Sequence, residues 1–365
     1  MRRLAPVVGV AAVLAALALM LLLLVPLGEP DQPAGEATDP LDRAGPAPQV
    51  DPTARAAMDR STDALSSWSY WGTQFVTAKS AGDVVSQVVE VTHTPVDGTT
   101  VRSSTGGPSV TAAAHGAEPS LVGGGAVALM ARHYSLRMGT PDRVAGREAD
   151  VVEAVRPGSD GLLVARFWLD RESGVVLRRE VYDGAGDPVR VSAFVDVDLE
   201  RTPSATATPE SAEGRAWSTT LDAAALDRMK RKGWWDCPDS LPGPLPLVDA
   251  RRGGEGKAVV HLSYADGISS ISVFQQRGTL DRSQLRGYRR TEVAGDQVWV
   301  KDAVPQRVMW SSGGTVYLVL ADAPRRTVDR AVVVLHAGAT QGQKGPVDRL
   351  GRGLDRVASW FNPFE

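Results

Sequence analysis

The sequence predicts an α+β protein held outside a membrane and built on antiparallel sheets in two successive domains, the second the smaller. Three observations carry that expectation. Residues 4–27 are apolar and uncharged, the apolar period changes from helical to two after about residue 67, and a Pro, Thr, Ser and Ala-rich stretch at 201–215 separates two blocks of strand-like sequence.

The run "LAPVVGVAAVLAALALMLLLLVPL" spans roughly 36 Å as a helix, enough to cross a hydrocarbon core of about 30 Å. A cleaved signal peptide competes with this reading. Its apolar region is typically about 7–15 residues and ends in small residues, whereas this run ends in "LVPLGEP". Residues 1–28 are therefore expected to be an uncleaved, single-pass anchor in the cell membrane. Arg2 and Arg3 precede the span, while Glu29, Asp31 and Glu36 follow it; this places the N-terminus in the cytoplasm and the bulk of the chain outside it. Residues 29–52, dense in Pro, Gly and acid, are expected to be a disordered stalk.

The first domain is expected over 53–200. Asp51 followed by Pro52 fits an N-cap and a first helical position, with Ala54, Ala57, Met58 and Leu65 on one face of a helix running to about Ser67. Strands follow at "YWGTQFVTA", "DVVSQVVEVTH" and "TTVRSST". The stretch around Gly123 to Gly125 reads as a flexible connection rather than an anion-binding nest, lacking a preceding strand and a following lysine. From Tyr134, "YSLRM", "ADVVEAV", "LLVARFWL", "VVLRREVY" and "VRVSAFVDVDLE" describe an antiparallel meander, with Gly174 supplying a positive φ in the turn of "FWLDRESGVVLRRE". In the last strand, Val191, Ala193, Val195, Val197 and Leu199 are expected on the buried face and Ser192, Asp196 and Asp198 on the wet one.

The second domain is expected over 216–340, after the 201–215 linker. A helix capped by Thr219 ends in Lys230, Arg231 and Lys232. Strands "KAVVHLSY" and "ISSISVFQQ" flank a turn at Asp266 and Gly267, more strands follow between 288 and 321, and "TVDRAVVVLHAG" supplies a helix with Val328, Ala331, Val332 and Leu335 on one stripe. Residues 341–365 form a C-terminal amphipathic helix in this reading, docked on its own domain or lying on a membrane surface.

Chemistry is sparse. Cys237 is the sole cysteine, so no intramolecular disulfide exists, and it reads either as a buried small side chain or as a thiol pairing with another chain. Basic and acidic residues number 40 and 43, interspersed, for a net charge of −3, which argues against a nucleic-acid surface. His93, His115, His133, His261 and His336 are scattered, so neither a zinc site nor any cofactor is expected. No serine elbow, P-loop or dinucleotide fingerprint is present, and Asp170 with Glu172 reads as solvated turn acids rather than a catalytic pair. Nine tryptophans against six phenylalanines leave aromatic surface as the main resource, so binding is expected and catalysis is not. A curved sheet holding a helix over its concave face would leave a cleft suited to an acyl chain or apolar peptide.

Two stretches resemble a known family, the MucB/RseB-type sigma-E regulatory proteins in an actinobacterial, membrane-anchored form. "YSLRMGTPDRVAGREADVVEAVRP…FWLDRESGVVLRREVYDGAGDPV" is similar to the family's "RVAGR" turn and "WLDxxxGLLLRxE" hairpin, and "VVHLSYADGISSISVFQQ" to its second-domain "LxYSDGLASVSVF" hairpin. The resemblance covers roughly 50–340. It implies a first domain built as an open antiparallel β half-barrel around helices, like the LolA-type lipoprotein carriers, and a smaller α+β domain. It also implies a non-catalytic regulator that binds the extracytoplasmic part of a membrane-bound anti-sigma factor, modulates its proteolysis in an envelope stress response, and senses lipid or lipoprotein acyl chains. An envelope lipid or lipoprotein carrier is the alternative. The cleft is expected at Trp71, Phe75, Tyr134, Met138 and Trp168, and the partner surface at Tyr264, Phe274, Trp299 and Trp310.

Overall fold

The structure, a computed structural model, describes residues 46–80, 83–103, 110–112, 124–158, 161–202, 219–231, 238–243, 245–253, 259–293 and 296–341. The apolar run 4–27, most of the stalk, the 203–215 part of the linker, Cys237 and the C-terminal stretch from 342 lie outside the described residues. Among the described residues no helix is long and apolar enough to cross a membrane.

Helix α1 (Pro52–Ser67) begins where the sequence places it. Asp51 is extended and its carboxylate accepts from the Thr53 amide at 2.7 Å, while Pro52 sits in the first turn, where no donor is missed. The helix buries Ala54, Ala57, Met58 and Ala64.

The first sheet comprises β1 (Trp68–Ser80), β2 (Asp83–Thr94), β3 (Gly98–Ser103) and β4 (Val110–Ala112). After helix α2 (Gly124–His133) come β5 (Ser135–Met138), β6 (Asp142–Val144), β7 (Arg147–Val155), β8 (Leu163–Asp170), β9 (Val176–Tyr182) and β10 (Pro188–Arg201). The spatial order is β4-β3-β2-β1-β10-β9-β8-β7-β5, antiparallel throughout, with β6 paired to β7. Directly opposed residues share a face. The register therefore runs one row through Val76, Ser192, Arg179, Phe167 and Val152, and the next through Val88, Phe75, Ala193, Arg178, Trp168 and Val151 on the opposite face. Helices α1 and α2 cover the first of these faces, where Met58, Val127 and Met130 pack with Val152, Phe167 and Val181.

Three sequence expectations are corrected here. Gly124 and Gly125, read as part of a flexible connection, open helix α2, because packing Val127 and Met130 into the core outweighs the low helix propensity of glycine. The strict alternation in β10 fails at Val195, an extra residue between Phe194 and Asp196, which face Gln74 and Thr73 of β1. This bulge swaps the faces: Ser192 and Phe194 lie on the helix-covered side with Val197 and Leu199, while Val191, Ala193 and Val195 do not. Asp170 is not a solvated turn acid. It is 1% exposed, holds Arg147 through two contacts of 2.6 and 3.1 Å, and accepts from the Ser173 amide and hydroxyl, closing the hairpin. Burial pushes this carboxyl up, but the bonds from Arg147 and Ser173 outweigh it and hold the pKa below the usual range. Gly174 takes the expected positive φ of 80°, and a Cβ there would stand 2.8 Å from the Arg60 carbonyl of α1.

The second sheet contains β11 (Thr219–Thr220), β12 (Ser240–Leu241), β13 (Leu245–Gly253), β14 (Val259–Ala265), β15 (Ser270–Arg277), β16 (Arg289–Val293), β17 (Asp296–Lys301), β18 (Gln306–Ser312) and β19 (Thr315–Asp322). Its order is β11-β13-β14-β15-β19-β18-β17-β16, with β12 beside β13. Helix α3 (Ala223–Arg231) follows β11, so Thr219 is a strand residue opposite Arg252. The cap is Asp222, whose Oδ1 accepts from the Ala225 amide at 2.6 Å. Helix α4 (Arg325–Gln341) buries Val328, Ala331, Val332 and Leu335 against Leu262, Ile271 and Trp310, the stripe read from the sequence. From Ala44 onward both sheets belong to one compact unit.

Candidate functional site

The β14–β15 hairpin carries the residues that join the two sheets. Its turn, Asp266 to Ser269, is built by the acid: Asp266 Oδ1 accepts from the amides of Ile268 and Ser269 at 2.8 and 2.7 Å, and Gly267 takes a φ of 92°. The tip projects onto the helix-covered face of the first sheet. A Cβ on Gly267 would stand 2.4 Å from the Ala126 carbonyl and 2.6 Å from the Met130 nitrogen of α2, so only glycine permits this approach. Ile268 is fully buried in the core formed by Met130, Tyr134, Phe167 and Val181.

Polar bonds frame the plug. Tyr134 Oη donates to Asp266 Oδ2 at 2.6 Å, and Arg179 donates to the Ile268 carbonyl. Burial pushes the Asp266 carboxyl up, against the lowering effect of the Tyr134, Ser269 and Ile268 bonds. It pushes the Tyr134 phenol well above its ordinary value too, helped by the neighbouring carboxylate. Beyond the hairpin, Asp322 at the end of β19 pairs with Arg190 at 2.7 Å and Arg179 at 3.4 Å, both from the first sheet. A cavity of about 30 Å³ opens at this seam, lined by Val85, Val181, Arg190, Gln306 and Asp322 among others. It has room for water rather than an acyl chain, for which pockets of about 300–1,000 Å³ are usual.

The residues expected in the cleft do not converge. Trp71 and Phe75 stand exposed on the helix-free face. Trp168 shares that face but is buried: its indole donates to Asp142 at 3.0 Å and lies beneath the Arg178 and Arg166 guanidiniums, 4.6 and 5.6 Å from the ring centre. Tyr134 and Met138 lie with the helix-covered core. The hollow expected on that face is filled by α1, α2 and Ile268. The residues expected at the partner surface differ in burial. Tyr264 and Trp310 are fully buried in the second sheet's core and Phe274 is buried on its other side, which leaves Trp299 half-buried. Strand period sorts residues into two faces but does not say which face a helix or a second layer covers.

Sequence reasoning singled out the Asp266–Gly267 turn only as a hairpin and missed its role at the seam. The cue was present: an uncharged Ile268 follows Gly267 at a turn tip, where polar residues are the rule. Nothing in the sequence sets Arg179 and Arg190 apart from the chain's other arginines, which are mostly surface residues in folded proteins. Among the described residues, no group of three or more His, Cys, Asp or Glu side chains is placed to hold a metal ion.

Among solved structures the chain is similar to MucB in complex with MucA(peri), at 20% identity and a TM-score of 0.41 over 77% of this chain and 97% of that one. It is similar to the Pseudomonas aeruginosa MucA/MucB complex at 20% identity and a TM-score of 0.37, over 77% and 97% of the two chains. A LolA superfamily protein from Nitrosomonas europaea is matched at 8% identity and a TM-score of 0.19, over 74% and 91%. No curated protein matches. The family model of the MucB/RseB N-terminal domain matches residues 111–212. That match runs from β4 to just beyond the end of β10.

Proposed function

We propose that the chain is a non-catalytic regulator, anchored by residues 1–28, that binds the extracytoplasmic part of a membrane-spanning anti-sigma factor and modulates its proteolysis. The MucB/RseB N-terminal-domain match over 111–212 carries this reading. The solved complexes of MucB with MucA supply the class of partner to test. In this reading the first sheet is an open half-barrel whose hollow is held either by an apolar ligand or by Ile268 of the second sheet.

An acyl chain entering that space displaces the hairpin tip. Losing Ile268 also breaks the Tyr134–Asp266 bond, and the two sheets become free to change their relation. A ligand shifts such an equilibrium only by its preference for one arrangement, and coupling to a partner is reciprocal. Acyl ligand and anti-sigma ectodomain therefore weaken each other's binding. The test uses the full chain in phosphatidylcholine nanodiscs, presented with the ectodomains of the anti-sigma factors encoded in the same genome. One ectodomain is expected to bind and to resist its protease, and dodecanoate is expected to reduce both effects. Failure to bind any of them refutes the regulator reading; binding that saturating dodecanoate leaves unchanged refutes the coupling alone.

A further inference from the structure

The helix-free face of the first sheet carries a feature that neither the seam nor the anti-sigma reading uses. Trp71 and Phe75 are 44% and 42% exposed, in a part of the sheet where neighbouring side chains are short. Phe75 lies between Val88 of β2 and Ala193 of β10, both directly opposite it. The bulge in β10 adds Val195, 63% exposed and without a counterpart in β1, to the same surface. A contiguous exposed cluster of large apolar side chains in a folded chain marks an interaction site more often than isolated ones do.

The charges on this face point to the kind of partner. Towards the β5–β9 end its carboxylates are neutralised within the sheet: Glu153 is held by Arg137 and Arg166, and Glu180 by Arg178. At the exposed aromatic end the carboxylates are left without ion pairs. Asp198 lies opposite Trp71, and Asp196 and Glu90 both lie opposite Thr73, with Arg102 of β3 facing Glu90 on its other side. None of the three takes part in a salt bridge among the described residues, although the same chain pairs many arginines with acids elsewhere. An oily ridge bordered by Asp196 and Asp198, which have no basic residue opposite them, repels an anionic lipid surface and suits apolar side chains accompanied by Arg or Lys.

We propose that this face, centred on Trp71 and Phe75 and bordered by Glu90, Asp196 and Asp198, is a docking surface for a basic amphipathic segment of a protein partner. The spacing fits a helix. Trp71 and Phe75 lie four residues apart on one strand, about 13 Å, close to the distance that separates apolar positions eight residues apart on a helix. Two or three helical turns laid along the ridge cover both aromatic side chains and bring basic residues on the flanks over the acids. This surface is separate from the seam, so it stands whether or not the regulator reading holds.

The test uses the full chain in phosphatidylcholine nanodiscs and two labelled synthetic 15-residue amphipathic peptides that share a Leu/Trp face. One carries Arg on its polar face and the other Glu. Fluorescence anisotropy is expected to show the Arg peptide binding at least ten-fold more tightly than the Glu peptide, with affinity falling as salt rises. Phe75→Ser is expected to weaken it by ten-fold or more. Asp196→Lys with Asp198→Lys, which exchanges only exposed groups, is expected to reverse the preference while leaving the urea unfolding midpoint unchanged. Equal binding of the two peptides overturns the proposal, as does an unchanged preference in the charge-reversed variant. Binding to phosphatidylglycerol vesicles that Phe75→Ser abolishes, with neither peptide bound, overturns it in favour of a lipid surface.

Discussion

Gly267→Ala addresses the seam most sharply, because the structure separates its two costs. A φ of 92° is a conformation that an L side chain adopts only with strain, worth about 1 kcal/mol or more. The second cost is steric: the new methyl would lie 2.4 Å from the Ala126 carbonyl and 2.6 Å from the Met130 nitrogen, and both are backbone atoms of a helix that cannot swing aside like a side chain. Overpacking of this kind adds about 1–3 kcal/mol. Gly186 supplies the control, with a φ of 85° and open space within 4 Å of the point where a methyl would sit. Gly186→Ala is therefore expected to cost about 1 kcal/mol in urea unfolding and Gly267→Ala about 2–4 kcal/mol. Amide exchange locates the difference: Gly267→Ala is expected to deprotect Asp266–Ser269 and helix α2, while the paired centres of β14 and β15 stay protected. Equal losses for the two variants, or exchange that rises evenly over both sheets, would refute the packing of the tip against α2.

Other perturbations reach the same framework by different chemistry. Asp322→Asn leaves Arg179 and Arg190 facing a neutral partner in a buried seam and is expected to cost about 3–5 kcal/mol in urea unfolding; a loss below about 1 kcal/mol contradicts the pairing. Asp266 holds its proton more tightly in the folded chain than unfolded, so its contribution to stability is full at acid pH and declines as pH rises through the folded pKa. Tyr134→Phe removes a bond that favours the carboxylate and is expected to extend that decline to higher pH, whereas Asp266→Asn abolishes it. His261, stacked on Phe274 with ring centres 4.3 Å apart, is pushed by burial to a pKa of about 4. The unfolded chain then takes up the proton first, so about 3 kcal/mol of stability is lost as pH falls from about 6.5 towards 4. His261→Leu is expected to flatten that acid limb of the unfolding curve, and an unchanged limb would assign it to other groups.

The parts of the fold legible in the sequence are those that local chemistry dictates. Asp51 and Pro52 start α1, Gly174 and the Asp266–Gly267 pair set turns of positive φ, and the stripe of Val328, Ala331, Val332 and Leu335 marks the buried face of α4. The parts that were hidden depend on what packs from far away. Helix α2 forms from a glycine-rich stretch because Val127 and Met130 find a core made by β7, β8 and the second sheet's Ile268. The bulge at Val195 changes the face of half a strand without changing its composition, so the alternation read from the sequence holds on only one side of it. The aromatic side chains show the same limit. Period two assigns Trp71 and Phe75 to one face of β1, yet only the tertiary structure adds Trp168 to that face and shows the first two exposed and the third beneath arginines.

The central claim is that the hairpin tip and an apolar ligand compete for one space in the first sheet. Amide exchange of the full chain in phosphatidylcholine nanodiscs, with and without saturating dodecanoate, tests it most directly. The account predicts that dodecanoate deprotects Asp266–Ser269 while protecting Met130–Leu136. Dodecanoate that binds and leaves the tip as protected as before, or that protects it further, would contradict the claim.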